Sequence, residues 1–281
     1  MKLEQRIKRK ADWTFRRLTS RYRVLPDFLI AGFPRCGTTS LFNYLIQHKC
    51  VLSPLAKEVG FFSSDYANGV EWYKSYFPTT FIKNYNDRAR NCRTITGEAT
   101  PMYVFHPKAP SRIKKIIPEV KIILLLRNPI DRALSHYNSI KKRGNETLSF
   151  EDAIHKEKQR LTGEYERMLR EENYYSEKWH FWGYLSGGHY MELLKGWFDV
   201  FDREKILIIK SEDMYDKPSN VFKSTCSFLE LPEIELTSFE QYNISEQFGK
   251  ISEQTRDELR EYFRPHNQNL YHFLGIDFNW N

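Results

Sequence analysis

The stretch Gly32-Phe33-Pro34-Arg35-Cys36-Gly37-Thr38-Thr39, "GFPRCGTT", decides how the rest of this 281-residue chain is read. It follows the apolar run Phe28-Leu29-Ile30-Ala31 and precedes a segment in which Leu41, Phe42, Leu45 and Ile46 recur at helical spacing. That order predicts a buried strand over 27–32, a glycine turn, and a helix from Thr38 to about His48. Backbone N–H groups and the positive end of the helix dipole then face the turn, as a phosphate loop requires. Against the nucleoside-triphosphate pattern G-x-x-x-x-G-K-[ST], both glycines and Thr39 are in register, but Thr38 replaces the lysine. That lysine is the group that reaches β- and γ-phosphates. The loop is therefore expected to hold a shorter 5′ anion, with Arg35 supplying charge and a bidentate fork from inside the turn. An ordinary strand–turn–helix, with glycines that only permit the turn, is the bland reading of the same residues.

Working outward, Lys121–Leu126 ("KIILLL") reads as a second buried strand with parallel partners. It runs into Arg127-Asn-Pro-Ile-Asp131 and a helix from about Ile130 to Lys141. Further helices are expected near 70–77, 107–117, 186–201, 218–230 and 252–263, with strands near 94–96 and 206–209. Residues 150–171 read as an exposed, charged helix. Strands alternating with helices predict a single α/β domain: a P-loop-like central parallel sheet flanked by helices. In such sheets ligands sit beyond the carboxyl ends of the strands, where both Gly32–Thr39 and Arg127–Asp131 fall.

Composition narrows the function classes. Hydrophobic residues make up 41% of the chain and aromatics 15%, enough for a sizeable core. The net charge of +7 favours anionic partners. No nucleic-acid motif is present, no run of 18 apolar residues suggests a membrane span, and no His/Cys cluster has zinc spacing. Residues 1–26 read as a basic leader, with peripheral membrane contact as one use of its Trp13, Phe15 and Leu18. The domain proper is expected over 27–281. Cys36, Cys50, Cys92 and Cys226 are widely spaced and read as reduced, intracellular thiols. The lone histidines His48, His136 and His189 read as structural, as does Arg132, with Asp131 as its possible partner.

Two patterns together resemble a known family. The turn resembles the 5′-phosphosulfate loop of sulfotransferases that use 3′-phosphoadenosine 5′-phosphosulfate (PAPS). "LLLRNPIDRALSHY" (Leu124–Tyr137) is similar to that family's 3′-phosphate motif, an arginine at a strand end followed by a helical serine, here Arg127 and Ser135. "KEVGFF" (Lys57–Phe62), "GEATPMY" (Gly97–Tyr103) and the ending Tyr262–Trp280 resemble the carbohydrate branch, with its heparan sulfate and bacterial members. The resemblance runs from about residue 27 to 280.

The resemblance implies sulfuryl transfer from PAPS to a hydroxyl acceptor, in the first place a glycan, with no metal. Glu58 is the implied base, Arg35 a catalytic and donor-binding residue, and Lys57 a substrate contact. Arg35, Cys36, Gly37, Thr38, Thr39 and Ser40 are implied for the 5′ end of PAPS, and Arg127 with Ser135 for its 3′-phosphate. Gly249-Lys250 lies where relatives place a loop over that phosphate. Gly60, Ser63 and Ala99 depart from the heparan pattern at positions that face the acceptor in the relatives. The C-terminal cysteine pair of the Golgi members has no counterpart, so a cytoplasmic location is expected, or the Golgi lumen for a trimmed chain. A nucleotide kinase with an altered loop and a non-catalytic binder of nucleotides or anionic glycans remain as alternatives.

Overall fold

Lys121–Leu126 has the burial its sequence predicts: Ile122 to Leu126 are all fully buried in the computed structural model, which describes residues 3–240, 242 and 251–280. Five consecutive apolar side chains need cover on both faces, and helices on either side of a parallel sheet supply it. In chain order the elements begin with α1 (Leu3–Leu18), β1 (Phe28–Gly32), α2 (Thr38–Leu45), β2 (Val51–Leu52), α3 (Val70–Lys74), α4 (Thr80–Arg90) and β3 (Ile95–Glu98). Next come α5 (Ala109–Ile116), β4 (Lys121–Leu126), α6 (Pro129–Lys142), α7 (Phe150–Leu161), α8 (Glu164–Arg170), α9 (Glu177–Trp182) and α10 (Tyr190–Phe198). The chain closes with β5 (Ile206–Lys210), α11 (Ser211–Asp216), α12 (Pro218–Phe228) and α13 (Glu253–Leu274).

The five strands form one parallel sheet in the order β2-β3-β1-β4-β5. β1 is central and wholly buried, paired with β3 on one side and β4 on the other. The chain works through β2 and β3 on one flank and then crosses to β4 on the other. The strand order therefore reverses between β1 and β4, and the crevice outside their carboxyl ends is where such sheets bind ligands. The loop after β1 and the loop after β4 both open into it.

Two expectations need correction. Residues 150–171 form two helices broken at Gly163, and they are not simply solvated. Phe150, Ala153, Ile154 and Leu161 join a second apolar cluster or face inward, and Glu157 is buried. Its carboxylate accepts the Leu185 and Ser186 N–H groups at 2.6 and 2.7 Å, so some of the charge in this run holds neighbouring backbone. The thiols are not all reduced either: Cys50 and Cys92 form a disulfide. Parallel pairing of β2 with β3, in register Val51↔Ile95, brings the entries of the two strands together, and with them the two cysteines. Spacing along the chain carries no trace of that pairing. Cys36 and Cys226 are free and buried.

Among the described residues no helix is long and apolar enough to cross a membrane.

Candidate active site

The turn after β1 uses two left-handed residues, Arg35 at φ 70° and Gly37 at φ 86°. At Gly37 a side chain is excluded twice: by that φ, and because a Cβ would lie 2.2 Å from Met214 Cε. Gly37 is the N-cap of α2 and contributes no side-chain hydrogen bond, so the first-turn N–H groups point into the crevice with no capping side chain on Gly37. Cys36 behaves differently from its neighbours. Its N–H is used inside the turn, on Phe33 O at 3.3 Å. Burial pushes its thiol up to about 11, so it is neutral. Ser211 Oγ donates to Cys36 O at 2.6 Å and braces the turn from the start of α11. Ser40 is buried with its Oγ accepting the Tyr242 N–H at 3.1 Å.

At the end of β4, Asn128 caps α6 through its side-chain oxygen, which accepts from Ile130 and Asp131. Pro129 stands at the first helical position, where a missing N–H costs nothing. Arg127 is held from behind: Tyr190 OH donates to Arg127 O at 2.7 Å, and Glu212 accepts the Asn128 N–H at 2.7 Å. Two turns into α6, Ser135 Oγ accepts from Arg35 Nε at 3.1 Å, while Arg127 Nη1 donates to Arg35 O at 3.3 Å. Arg35, Arg127 and Ser135, 100 residues apart at the extremes, thus meet in one place. The Arg35 pKa is lowered, first by burial and then by the Arg127 cation. Both effects oppose charge that an anion in the crevice would neutralise.

The Lys57–Glu58 segment lies on the same rim. Lys57 Nζ sits 2.6 Å from Glu58 Oε1, and Glu58 keeps about half its side chain, 54%, in solvent. The backbone here is pinned from β3: Ala99 N donates to Lys57 O at 2.8 Å. Thr100 Oγ1 accepts the N–H groups of both Val59 and Gly60, at 3.1 and 3.2 Å. Thr100 in turn donates to Glu98 Oε2 at 2.5 Å. Glu98 is completely buried, and its other oxygen accepts Tyr73 OH at 3.1 Å and Tyr103 OH at 2.5 Å. Burial raises this carboxyl to about 7, against the three hydroxyl donors that favour its ionised form.

The sulfotransferase domain model matches residues 25–272. The chain belongs to the sulfotransferase family. It is 30% identical to the membrane-associated sulfotransferase kil1 of Dictyostelium discoideum, over 91% of this chain and 66% of that protein. It is 25% identical to heparan sulfate glucosamine 3-O-sulfotransferase 3B1 of Mus musculus, over 92% of this chain and 65% of the relative. The chain thus spans just under two thirds of the length of these curated relatives. A crystal structure of a sulfotransferase from Alicyclobacillus acidocaldarius superposes with a TM-score of 0.66 at 28% identity, covering 92% of this chain and 99% of that one. The α/β fold with its central parallel sheet is therefore that of a sulfotransferase.

Ser63 and Asp131 sit differently from expectation, whereas Arg132, His136 and His48 take the structural places expected of them. Ser63, expected at the acceptor face, is buried and turned back on Gly60 O at 3.1 Å. Gly60 itself adopts φ 74°, a conformation that disfavours any side chain in its place. Asp131 pairs with Arg256 on α13 at 3.2 Å and not with Arg132. Arg132 is fully buried and donates to the Gly183 and Tyr184 carbonyls, a structural placement. His136 is likewise structural: it is buried, its Nε2 lies 2.9 Å from His180 O, and its pKa is lowered to about 3. His48 bridges Cys50 N and Pro232 O. Lys250 lies outside the described residues.

Sequence reasoning passed over Glu98, Tyr190, Ser211 and Glu212, which hold the two loops in place. It also passed over His180, whose pKa is lowered by burial first and by Arg143 next, with Glu58 opposing. His189, Glu192 and His266 bring three metal-capable groups together. However, the two imidazoles stack at 4.0 Å and 8°, so their in-plane lone pairs do not converge on one ion without a ring turning.

Proposed function

We propose that this sulfotransferase moves a sulfuryl group from PAPS to a carbohydrate hydroxyl and releases 3′-phosphoadenosine 5′-phosphate. The observation that carries the reading is the meeting of Arg35, Arg127 and Ser135 across the β1/β4 crevice beside a helix start that its N-cap glycine leaves uncapped. A donor with phosphates at both its 5′ and 3′ positions fits a cradle built from both loops. The absent lysine at Thr38 fits a donor with no γ-phosphate. The hydroxyl acceptor and its glycan character rest on the likeness to a heparan sulfate 3-O-sulfotransferase.

PAPS supplies the sulfuryl group and a phosphate leaving group. The N–H groups at the start of α2, with the Thr38 and Thr39 hydroxyls, hold the 5′-phosphate. Gly37 and Cys36 shape the turn, and Ser40 supports it through the Tyr242 backbone. Arg35 stabilises the charge that grows on the leaving oxygen. Arg127 and Ser135 bind the 3′-phosphate and so separate PAPS from other adenine nucleotides. Glu58 takes the proton of the attacking hydroxyl, a positioned base of the kind worth about 10²–10⁴ in rate. Lys57 holds the Glu58 carboxylate in place through their ion pair and is the candidate acceptor contact. In-line transfer of this kind depends on positioning and fixed electrostatics. The Cys50–Cys92 bridge favours an oxidising compartment over the cytoplasmic one expected from the sequence.

The test is turnover of PAPS against a panel of glycans and simple alcohols, followed by release of the bisphosphate. Glu58→Gln should lose most turnover and keep donor affinity. Donor binding with no turnover on any acceptor would support the capture protein instead. Phosphorylation from ATP–magnesium would support the kinase.

A further inference from the structure

The chain's excess charge is confined to one place. Residues 1–23 contain nine Lys and Arg against two Asp and Glu, a net +7 that equals the whole chain's +7; residues 24–281 balance at 34 of each. Most of this segment is α1, and it is seated on the domain. Trp13 packs edge-on against Trp72 and Tyr76, with centroids 6.2 and 5.0 Å apart, and Arg16 donates to Ser75 O. Docking leaves three large apolar side chains in solvent among those described: Phe15 is 59% exposed, Leu18 77% and Tyr22 55%. Arg17 and Arg21 stand exposed among them.

A second exposed apolar group adjoins the first. Arg23 bridges to Thr79, and Thr80 Oγ1 donates to Tyr22 O at 3.1 Å, so the end of the basic segment abuts the start of α4. None of α4 is fully buried. It presents Phe81 at 79% exposure, with Ile82 and Tyr85 beside it. Isolated exposed apolar residues need no explanation, but six in two abutting segments, next to all of the net positive charge, do.

We propose that this face, Phe15, Leu18, Tyr22, Phe81, Ile82 and Tyr85 with Arg17 and Arg21, docks on an anionic lipid bilayer. Basic side chains are drawn to acidic headgroups, and aromatic and aliphatic side chains enter the headgroup boundary. A polyanionic glycan would use the arginines and leave the six apolar side chains in water, which makes a bilayer the better fit. The surface also leaves the crevice open. Lys83 of α4 pairs with Asp27 at the amino end of β1, at the edge of the sheet opposite the Gly32–Thr39 turn.

The experiment is co-sedimentation of the full chain with phosphatidylcholine vesicles, with and without about one third phosphatidylserine, over a salt series. Binding is expected only with the anionic lipid and should weaken as salt rises. Each lost arginine near the surface is worth about fivefold in affinity, so Arg17→Glu with Arg21→Glu should weaken binding by about thirtyfold or more. Phe81→Ser with Tyr85→Ser should weaken it about tenfold while leaving retention on a heparin column unchanged. Turnover on a soluble acceptor should be unaltered in both variants. No vesicle binding, equal binding to neutral vesicles, or an apolar variant that binds vesicles like the parent would each overturn the proposal. Heparin retention without vesicle binding would assign the charge to a glycan.

Discussion

Glu98 concentrates the chemistry of the site in one buried side chain. Its ionised form accepts three hydroxyls, and Thr100 passes that order on to the Val59 and Gly60 N–H groups that follow Glu58. A proton on Glu98 forces one of those hydroxyls to give up its acceptor. The folded pKa of about 7 lies above the unfolded value, so the folded state holds this proton longer. The resulting stability is fully present below about pH 4.5 and is lost as pH rises through about 7, a change on the order of 3 kcal/mol. The ordering of the Glu58 segment runs the other way and improves across the same range. Turnover is therefore expected to show an acid limb near pH 7 while stability falls. Glu98→Gln must present its NH₂ to one of the three hydroxyls, so it should be slower than the parent at about pH 8 and equal to it near pH 6. Urea titrations of parent and variant should show the gap in stability moving in the variant's favour between those extremes. A flat difference at all pH values would remove Glu98 as the titrating group. Arg127 makes a second residue-scale case. Arg127→Ala should weaken 3′-phosphoadenosine 5′-phosphate by about a hundredfold, the usual scale for a partly buried charged contact. It should weaken AMP much less, through the lost brace on Arg35 O. Equal losses in a calorimetric titration would refute a 3′-phosphate role.

At the scale of elements, legibility follows how far a feature depends on sequence neighbours. The strand–turn–helix at Phe28–Leu45 and the pair β4–α6 are readable because their apolar runs, glycines and caps are contiguous. α4 and α11 are not: no residue of α4 is fully buried, so no core-facing side marks it, and α11 is only six residues long. Glu98 and its partners Thr100 and Tyr103 all stand in "GEATPMY", but its third partner, Tyr73, arrives from α3, 25 residues earlier. The Cys50–Cys92 bridge depends on β2 pairing with β3, which no spacing encodes. It closes a separation of 42 residues, which by chain entropy contributes about 4 kcal/mol. Reduction, or Cys92→Ser, should lower the unfolding midpoint accordingly. The bridge ties the entries of β2 and β3, on the far side of the sheet edge from the crevice. Donor affinity should therefore change little, and a calorimetric titration under reducing conditions checks that separation.

At the scale of the whole molecule, the crevice is made by the loops that follow two adjacent strands, β1 and β4, held by Tyr190, Ser211 and Glu212 from the C-terminal half. Binding that spans the β1 and β4 loops adds to contacts that already bring Arg35, Arg127 and Ser135 together. A ligand selective for the native state adds about 2.7 kcal/mol when present at a hundred times its dissociation constant. For a domain of this size that is a rise of roughly 5–10 °C in the unfolding midpoint. 3′-Phosphoadenosine 5′-phosphate should produce the rise at concentrations where ADP and ATP–magnesium do not, because only it presents phosphates to both loops. Gly37→Ala should abolish the rise even if the variant folds, since a methyl there collides with Met214 and alters the turn. The decisive comparison is the order of the three nucleotides on the parent protein. A larger shift with ATP–magnesium than with the bisphosphate would mean that the crevice is shaped for a γ-phosphate, and the assignment of PAPS would fall.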